Sequence, residues 1–114
     1  METVGYHALI DFIGVKKDSL KEKYLMNKLK EIFDKNNVNV ELSVGKPFKP
    51  HGDTIVFVLS SSHCTVHTWP EYKLLSLDLY MCSDEETSKK VIKEVYDAFE
   101  AKEKRMKFFE RPLR

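Results

Sequence analysis

Apolar residues recur along the chain with two different spacings, and the spacing changes from one segment to the next. Six segments alternate apolar and polar residues or form short apolar runs, which is typical of β-strands. The predicted strands are residues 5–15, 38–44, 53–59, 63–69, 74–82 and 102–109. Two further segments space their apolar residues along one helix face. The first predicted helix begins at Asp18 or Ser19 and ends at Asn36-Asn37, and the second follows a capping box at residues 83–86.

The order of these elements predicts the fold class. Strands and helices follow one another as β-α-β-β-β-β-α-β, and a proline- and glycine-rich loop is predicted at residues 45–52. This order predicts an α+β two-layer sandwich, an antiparallel-rich sheet with both helices on one face. The other face of the sheet would lack a cover. We therefore expect a second copy of the chain to cover it, which gives a homodimer built sheet to sheet.

Length and composition are those of a small globular protein with balanced charge. The 114 residues, 42% of them hydrophobic, are expected to form a single domain spanning residues 1–114. The net charge is only +1, so no overall field attracts nucleic acid or an anionic membrane. Two cysteines without a signal sequence predict free thiols in a reducing, cytoplasmic compartment, and no apolar run reaches membrane-spanning length. A small-molecule or protein partner is therefore favoured.

Three consecutive serines, Ser60-Ser61-Ser62, follow the apolar run at residues 55–59. Because that strand is expected to be buried, the bend should carry the three hydroxyls into a water-poor region. In the next strand, alternation predicts one face with His63, Thr65, His67 and Trp69 and another with Cys64, Val66 and Thr68. Buried hydroxyls and imidazoles need hydrogen-bond partners, so this arrangement indicates a functional site.

Taken singly, these residues leave several chemistries open. A Ser–His or Cys–His pair could act in nucleophilic catalysis, although the chain has no Gly-x-Ser-x-Gly elbow. A zinc site could in principle use His63, Cys64, His67 and Cys82. Alternation directs Cys64 away from the histidines, however, which disfavours a metal. Most often, such histidines are hydrogen-bonded within the core and such cysteines are inert buried thiols.

Two other residues fit either a structural or a functional role. Asp11 is a carboxylate within the apolar first strand, and it could reach water or belong to a site. Phe48 stands between two prolines, where it could anchor the loop to the core or form an exposed platform for a ligand.

An ordered string of motifs resembles the small prokaryotic-type S-adenosylmethionine decarboxylases. Those enzymes carry Gly-x-His near the start, a Phe-x-Pro-x-Gly-x-Ser/Thr loop, a Ser-His-x-x-x-His-Thr-Trp-Pro-Glu core and a later cysteine. The matching segments here, in the same order, are residues 5–7, 48–54 and 62–71, and Cys82. The resemblance therefore extends from the start of the chain through Cys82.

The resemblance implies that the chain cuts itself between Ser61 and Ser62, into residues 1–61 and 62–114. In the family, the serine hydroxyl attacks the preceding carbonyl, and β-elimination of the resulting ester leaves a pyruvoyl cofactor. Ser62 matches that serine, His67 matches the base that removes its Cα proton, and Thr54 matches a hydroxyl that assists.

The resemblance also implies decarboxylation of S-adenosylmethionine, which supplies the aminopropyl donor for spermidine. The pyruvoyl carbonyl takes the substrate amine and withdraws the electrons left when carbon dioxide departs. Cys82 matches the proton donor of that reaction. Phe48 matches the aromatic ring that stacks on adenine, and Glu71 matches the carboxylate that takes both ribose hydroxyls. Asp11 and His7 match positions near the substrate.

Three positions depart from the family pattern. The family usually has glutamate before the processed serine, where this chain has Ser61. Ser83 replaces the glycine after the cysteine, and Ile55 replaces the small residue after Thr54. These departures leave two alternatives open: a pyruvoyl-dependent decarboxylase of arginine or ornithine, or an unprocessed, non-catalytic relative that binds a partner.

Overall fold

The computed structural model describes residues 2–114, which form one six-stranded sheet and two α-helices. The strands are β1 (Thr3–Ile13), β2 (Val40–Pro47), β3 (Asp53–Leu59), β4 (His63–Trp69), β5 (Leu74–Met81) and β6 (Glu103–Pro112). The helices are α1 (Glu22–Lys35) and α2 (Glu85–Asp97), and 3₁₀ turns occupy Lys17–Leu20 and Pro70–Tyr72. The predicted order of elements and the α+β fold class are confirmed.

The strands lie in the order β2-β3-β4-β5-β1-β6, and all neighbours are antiparallel. Strands β2 to β5 are neighbours in sequence as well as in space, because short connections favour antiparallel pairing of consecutive strands. β1 leaves this series and lies between β5 and β6. Within β1, Tyr6 is opposite Met81 of β5 on one side and Glu110 of β6 on the other.

Both helices pack against one face of the sheet, as predicted. Their buried side chains are Leu25, Leu29, Ile32 and Phe33 of α1, and Ser88, Val91, Ile92 and Val95 of α2. In the core between the layers, the rings of Phe33 and Phe57 meet edge to face with their centroids 5.7 Å apart. Burial of one such apolar side chain contributes about 1.5–3 kcal/mol, so this layer fixes which side of each strand faces inward. Within residues 2–114, neither helix has the length and apolar character needed to cross a membrane.

The opposite side of the sheet, called the open face below, carries the alternate side chains of every strand. In the part of the chain that the structure describes, no helix covers this face. Large apolar side chains remain exposed on it, with exposed fractions of 36% for Leu9, 55% for Leu42, 51% for Val44 and 42% for Val58. Monomeric proteins seldom leave clustered apolar side chains in water, so the open face is suited to contact with another molecule.

The structure differs from the sequence prediction at the connection between β2 and β3. The prediction ends the second strand at residue 44 and begins a loop there, but β2 starts at Val40 and continues through Gly45 to Pro47. Pro47 lies opposite Asp53 at the end of an edge strand. A proline is tolerated there because an edge strand does not need its N–H on the solvent side.

The start of α1 also differs from the prediction. Asp18 and Ser19 belong to the preceding 3₁₀ turn, and α1 begins at Glu22 with Lys21 as its N-cap. The backbone N–H of Lys21 donates to the carbonyl of Asp18, so the 3₁₀ turn leads directly into the helix without a side-chain cap.

The N-cap of α2 is Asp84 and not Ser83. The Asp84 carboxylate accepts a hydrogen bond from the Thr87 N–H at 2.8 Å, which lowers the pKa of that carboxyl. Predicted strand ends are also displaced by a few residues, since β1 ends at Ile13, β5 ends at Met81 and β6 continues to Pro112.

Candidate active site

The serine bend forms a tight connection between β3 and β4. The Leu59 N–H donates to the carbonyl of Ser62 at 2.9 Å, and the Ser60 N–H donates to the carbonyl of Asn39 at 3.0 Å. Ser60 and Ser61 are exposed, whereas Ser62 is buried. The prediction of three buried hydroxyls is therefore wrong for the first two, because the chain turns at the sheet end and only Ser62 faces inward.

Both backbone polar groups of Cys82 contact the bend. The Cys82 N–H donates to the Ser62 hydroxyl oxygen at 2.9 Å, and the Ser61 hydroxyl donates to the Cys82 carbonyl at 3.2 Å. Cys82 follows the last residue of β5, so its N–H and carbonyl lie beyond the hydrogen bonds between β4 and β5. The bend is thus fastened to the end of β5 on both sides of the peptide bond between Ser61 and Ser62.

The two cysteines occupy opposite environments. The Cys82 thiol is exposed and donates to the carbonyl of Val4 at 3.1 Å. Cys64 lies on the covered face of β4, as alternation predicts, and burial raises the pKa of its thiol far above the usual range. Of the two, Cys82 is the thiol available for chemistry.

Two imidazoles and a phenol lie near the bend on the open face. The rings of His63 and Tyr80 stack with centroids 5.4 Å apart, and His7 meets Tyr80 edge to face at 5.7 Å. Gly5 makes room for this group, because a side chain there would overlap the Tyr80 ring. Among the described residues, His7 Nε2 is a buried side-chain atom without a hydrogen-bond partner. This nitrogen therefore retains an unused hydrogen-bonding capacity.

A second group lies further along the sheet. The Thr54 hydroxyl oxygen is 3.2 Å from His67 Nδ1, and these residues are directly opposite each other on β3 and β4. The His67 ring stacks on Trp69 at 5.7 Å, and Phe48 meets Trp69 at 6.4 Å with an interplanar angle of 60°. Phe48, Thr54, His67 and Trp69 therefore form one cluster.

Gly52 lets the loop before β3 fold back onto this cluster. Its φ of +115° is a conformation that residues with a side chain rarely adopt. A Cβ at this position would also overlap the Phe48 ring and the carbonyl of Thr68. Phe48 is half-buried and faces Trp69, so it is partly an anchor and partly an accessible aromatic surface.

Glu71 lies in the 3₁₀ turn after β4 and is exposed. It lines an open hollow of about 380 Å³ together with Lys17, His51, Pro70 and Lys73. Two residues of the hollow are close in the chain to the aromatic cluster: Pro70 follows Trp69 directly, and His51 belongs to the same loop as Phe48.

These residues form two groups at opposite ends of the sheet. The bend end consists of Ser61, Ser62 and Cys82, with His7, His63 and Tyr80 beside them on the open face. The loop end consists of Phe48, Thr54, His67 and Trp69, and Glu71 lies in the turn that follows. Ser62 and His67 are five residues apart along β4, which corresponds to about 16 Å. The sequence prediction places this serine and its base in one site, but within a single chain they cannot touch.

Asp11 lies on β1 in the same cross-strand row as His67. Ser76 is opposite both residues, and its hydroxyl donates to Asp11 Oδ1 at 2.8 Å. Arg105 of β6 lies 3.7 Å from the other carboxylate oxygen. Asp11 is therefore a partnered carboxylate on the open face, and not a strand-end charge.

Ser61 was predicted as the residue before the cleaved bond, but its side-chain contact with Cys82 was not predicted, and neither was Arg105 as a partner of Asp11. Alternation does not report on Ser61, because its contact with Cys82 joins segments far apart in the chain. Arg105 belongs to a basic segment that resembles a solvated surface in sequence, and its partner Asp11 follows only from the register of β6 on β1. Within residues 2–114, no group of three or more His, Cys, Asp or Glu side chains is arranged to hold a metal ion.

The fold and this arrangement define a two-layer α+β protein in which an exposed serine, Ser61, precedes the buried Ser62, whose hydroxyl is bound by a backbone N–H. Residues 6–112 match the family model described as S-adenosylmethionine decarboxylase. The chain belongs to the S-adenosylmethionine decarboxylase family.

Individual relatives agree with this assignment. An S-adenosylmethionine decarboxylase proenzyme of Archaeoglobus fulgidus is 36% identical over 97 residues, which cover 84% of this chain and 87% of the relative. A protein of the same name from Pyrococcus furiosus is 32% identical over 106 residues, covering 90% of this chain and 74% of the relative. The crystal structure of the adenosylmethionine decarboxylase from Aquifex aeolicus VF5 superimposes with a TM-score of 0.87 at 29% identity, covering 100% of this chain and 95% of that one.

Proposed function

We propose that this chain is a pyruvoyl-dependent decarboxylase of S-adenosylmethionine that makes its cofactor from Ser62. The observation that carries the proposal is the Ser62 hydroxyl, which is buried and held by the Cys82 N–H beside the carbonyl of Ser61. Membership of the family supports the activity, and the relatives' name, which includes the word proenzyme, supports a processing step. The product would serve as the aminopropyl donor for spermidine.

Self-processing begins when the Ser62 hydroxyl oxygen attacks the carbonyl carbon of Ser61. The peptide C–N bond breaks, an ester forms, and the hydroxyl proton passes to the freed amine of residue 62. A base then removes the Cα proton, and the Cβ–Oγ bond breaks so that the oxygen leaves with the new carboxylate of Ser61. Addition of water and loss of ammonia turn the remaining dehydroalanine into a pyruvoyl group. A small residue in a buried, anchored position fits that group.

His67 is the proposed base, with Thr54 as its orienting partner. The Thr54 hydroxyl lies beside Nδ1, so Nε2 is the nitrogen left to take the Cα proton. His67 of the same chain cannot perform this step, however, because about 16 Å of β4 separate it from Ser62.

A second copy of the chain resolves this separation. In a two-fold symmetric dimer, the bend end of one open face lies against the loop end of the other, and the reverse contact forms by symmetry. Such a dimer also covers Leu42, Val44 and Val58. We therefore propose a homodimer built sheet to sheet, in which each site combines the bend end of one copy with the loop end of the other.

Co-expression of two inactive variants tests this arrangement. Neither Ser62→Ala nor His67→Ala should yield a pyruvoyl-capped fragment alone. In a mixed dimer, however, one site joins Ser62 of the His67→Ala chain to His67 of the Ser62→Ala chain. We expect the His67→Ala chain to be processed in mixed dimers isolated through two different affinity tags, as measured by intact mass. Dimers of each variant with a differently tagged copy of itself are the controls. An unprocessed His67→Ala chain in verified mixed dimers would show that His67 of the other copy is not the base, and would overturn the shared site.

In turnover, the pyruvoyl group supplies a carbonyl that takes the substrate amine and accepts the electrons left by carbon dioxide. The backbone N–H of Cys82 binds Ser62, and the exposed thiol of the same residue is the proposed acid that returns a proton to the substrate carbon. The aromatic face of Phe48 suits adenine and the two oxygens of Glu71 suit the ribose diol. Asp11 supplies negative charge and His7 supplies an unpartnered nitrogen near the substrate, whose sulfonium is a cation.

The test of this function is substrate choice. We expect the purified protein to release carbon dioxide from S-adenosylmethionine faster than from arginine or ornithine, because Phe48 and Glu71 have no adenosyl group to hold in a free basic amino acid. Glu71→Gln should raise KM for S-adenosylmethionine on the order of 10-fold, since the charged acceptor for the diol is lost.

The matched control is Glu31→Gln, which changes an exposed glutamate on α1 away from the open face. It should leave both kcat and KM unchanged. Faster release of carbon dioxide from arginine or ornithine would mean that this amino acid, and not S-adenosylmethionine, is the substrate. No release from any of the three, with an uncleaved chain, would support a non-catalytic relative.

A further inference from the structure

The hydroxyl of Ser61 makes a contact that the processing chemistry described above does not use. It donates to the carbonyl of Cys82 at 3.2 Å, while the N–H of the same Cys82 donates to the Ser62 hydroxyl oxygen at 2.9 Å. Ser61 and Ser62 therefore both bind the backbone of Cys82: the Ser61 hydroxyl is a donor, and the Ser62 hydroxyl is an acceptor. The bond to be cut lies between these two anchors.

Few other contacts hold the exposed part of the bend. Ser60 is tied by its backbone N–H to the carbonyl of Asn39, and the Leu59 N–H donates to the carbonyl of Ser62. Neither contact fixes the rotation of the peptide unit between Ser61 and Ser62, because both attach outside it. The side chains of Ser61 and Ser62 attach on either side of that unit, so the pair of bonds to Cys82 restricts how the scissile carbonyl is turned toward the nucleophile.

We propose that Ser61 is a positioning residue for its own cleavage: its hydroxyl, bonded to the Cys82 carbonyl, holds the scissile carbonyl at the angle from which the Ser62 oxygen attacks. This inference rests on the proposed self-processing. In the step concerned, the bond from the Ser62 oxygen to the Ser61 carbonyl carbon forms as the C–N bond breaks, and the hydroxyl proton ends on the new amine. Orientation of reacting groups within one molecule is a large source of rate.

The contact depends on the hydroxyl that this chain has in place of the family's usual glutamate. A hydroxyl can donate to a carbonyl oxygen, whereas an ionised carboxylate has only acceptor oxygens and would be repelled by it. Ser61 therefore makes a hydrogen bond that an ionised glutamate at this position could not make. Threonine keeps the donor, and alanine removes it.

The test compares self-cleavage rates of wild type, Ser61→Ala and Ser61→Thr in a cell-free translation time course, read by gel and intact mass. Loss of one hydrogen bond should slow cleavage of Ser61→Ala about 2- to 10-fold, and Ser61→Thr should cleave at close to the wild-type rate. Ser60→Ala is the matched control, because the neighbouring serine uses its backbone to contact Asn39. It should cleave like wild type.

Two further measurements separate positioning from a general loss of structure. The Ser61→Ala precursor should melt at the wild-type temperature and give the wild-type far-UV circular dichroism spectrum, so that slower cleavage reports the orientation of the carbonyl and not a loss of structure. Equal rates for Ser61→Ala and wild type, or equally slow Ser61→Ala and Ser61→Thr, would overturn the role of the hydroxyl while leaving self-processing intact. Absence of cleavage in the wild type itself would instead refute the proposed function.

Discussion

The Ser62→Ala chain is expected to remain a single 13.4 kDa polypeptide under conditions in which the wild type yields residues 1–61 and 62–114. Alanine lacks the oxygen that attacks the Ser61 carbonyl, and no ester can form without it. The Ser62 hydroxyl accepts one hydrogen bond, from the Cys82 N–H, so we expect the Ser62→Ala chain to keep its fold without that hydroxyl. Intact mass and blocked N-terminal sequencing of the second wild-type fragment are the measurements.

Ser60→Ala and Ser61→Ala serve as neighbours for comparison, and both should still yield fragments. If Ser62→Ala gives the same two fragments as the wild type, another residue is the nucleophile. Fragments that differ by one residue from those expected would move the cleaved bond to a neighbouring serine.

The second large effect is expected at Cys82, where cofactor formation and turnover should separate. Cys82 holds Ser62 through its backbone N–H, and alanine retains that group. Cys82→Ala should therefore still cleave between Ser61 and Ser62. Turnover needs an acid that returns a proton to the substrate carbon after carbon dioxide leaves, and we propose for it the exposed thiol of Cys82, the residue whose N–H binds Ser62.

Without that acid, we expect a rate lower by about 10²- to 10⁴-fold, the usual contribution of general acid catalysis. In the absence of that acid the proton would be added to the cofactor carbon; hydrolysis would then release the decarboxylated substrate as an aldehyde and leave alanine as residue 62. This change would end the activity of each site in turn, and mass spectrometry of the smaller fragment would detect it. Cys64→Ala is the matched control, since its thiol is buried on the covered face and should affect neither step. Lasting wild-type activity in Cys82→Ala would identify another proton donor, and loss of cleavage would give the thiol a role in processing.

The faces of the strands were predictable because each strand has one side in the core. Alternation places His63, Thr65, His67 and Trp69 on the open face and Cys64, Val66 and Thr68 on the covered one, and the structure agrees. This works because a change of one residue in register would bury an imidazole and expose a valine.

What the sequence could not supply is distance along and across the sheet. Two residues on one face of β4, such as His63 and His67, look equivalent in an alternating pattern although they lie at different ends. Local patterns also contain no information on the pairing of β1 with β6, which brings Arg105 to Asp11. Motif matching groups residues by their order in the chain, so it does not show that the bend end and the loop end of one chain lie apart and would meet only across a dimer.

The position of β1 in the sheet determines whether the two pieces of a cleaved chain could separate. Residues 1–61 contribute β1, β2 and β3, and residues 62–114 contribute β4, β5 and β6, yet β1 lies between β5 and β6. The two pieces are therefore interleaved, and they share the borders β3 to β4, β5 to β1 and β1 to β6. Pulling them apart would break three ladders of backbone hydrogen bonds and divide one hydrophobic core. Severing the backbone at the bend thus changes the covalent connectivity of the molecule while its tertiary structure keeps both halves bound to each other, with the new chain ends retained where they were made.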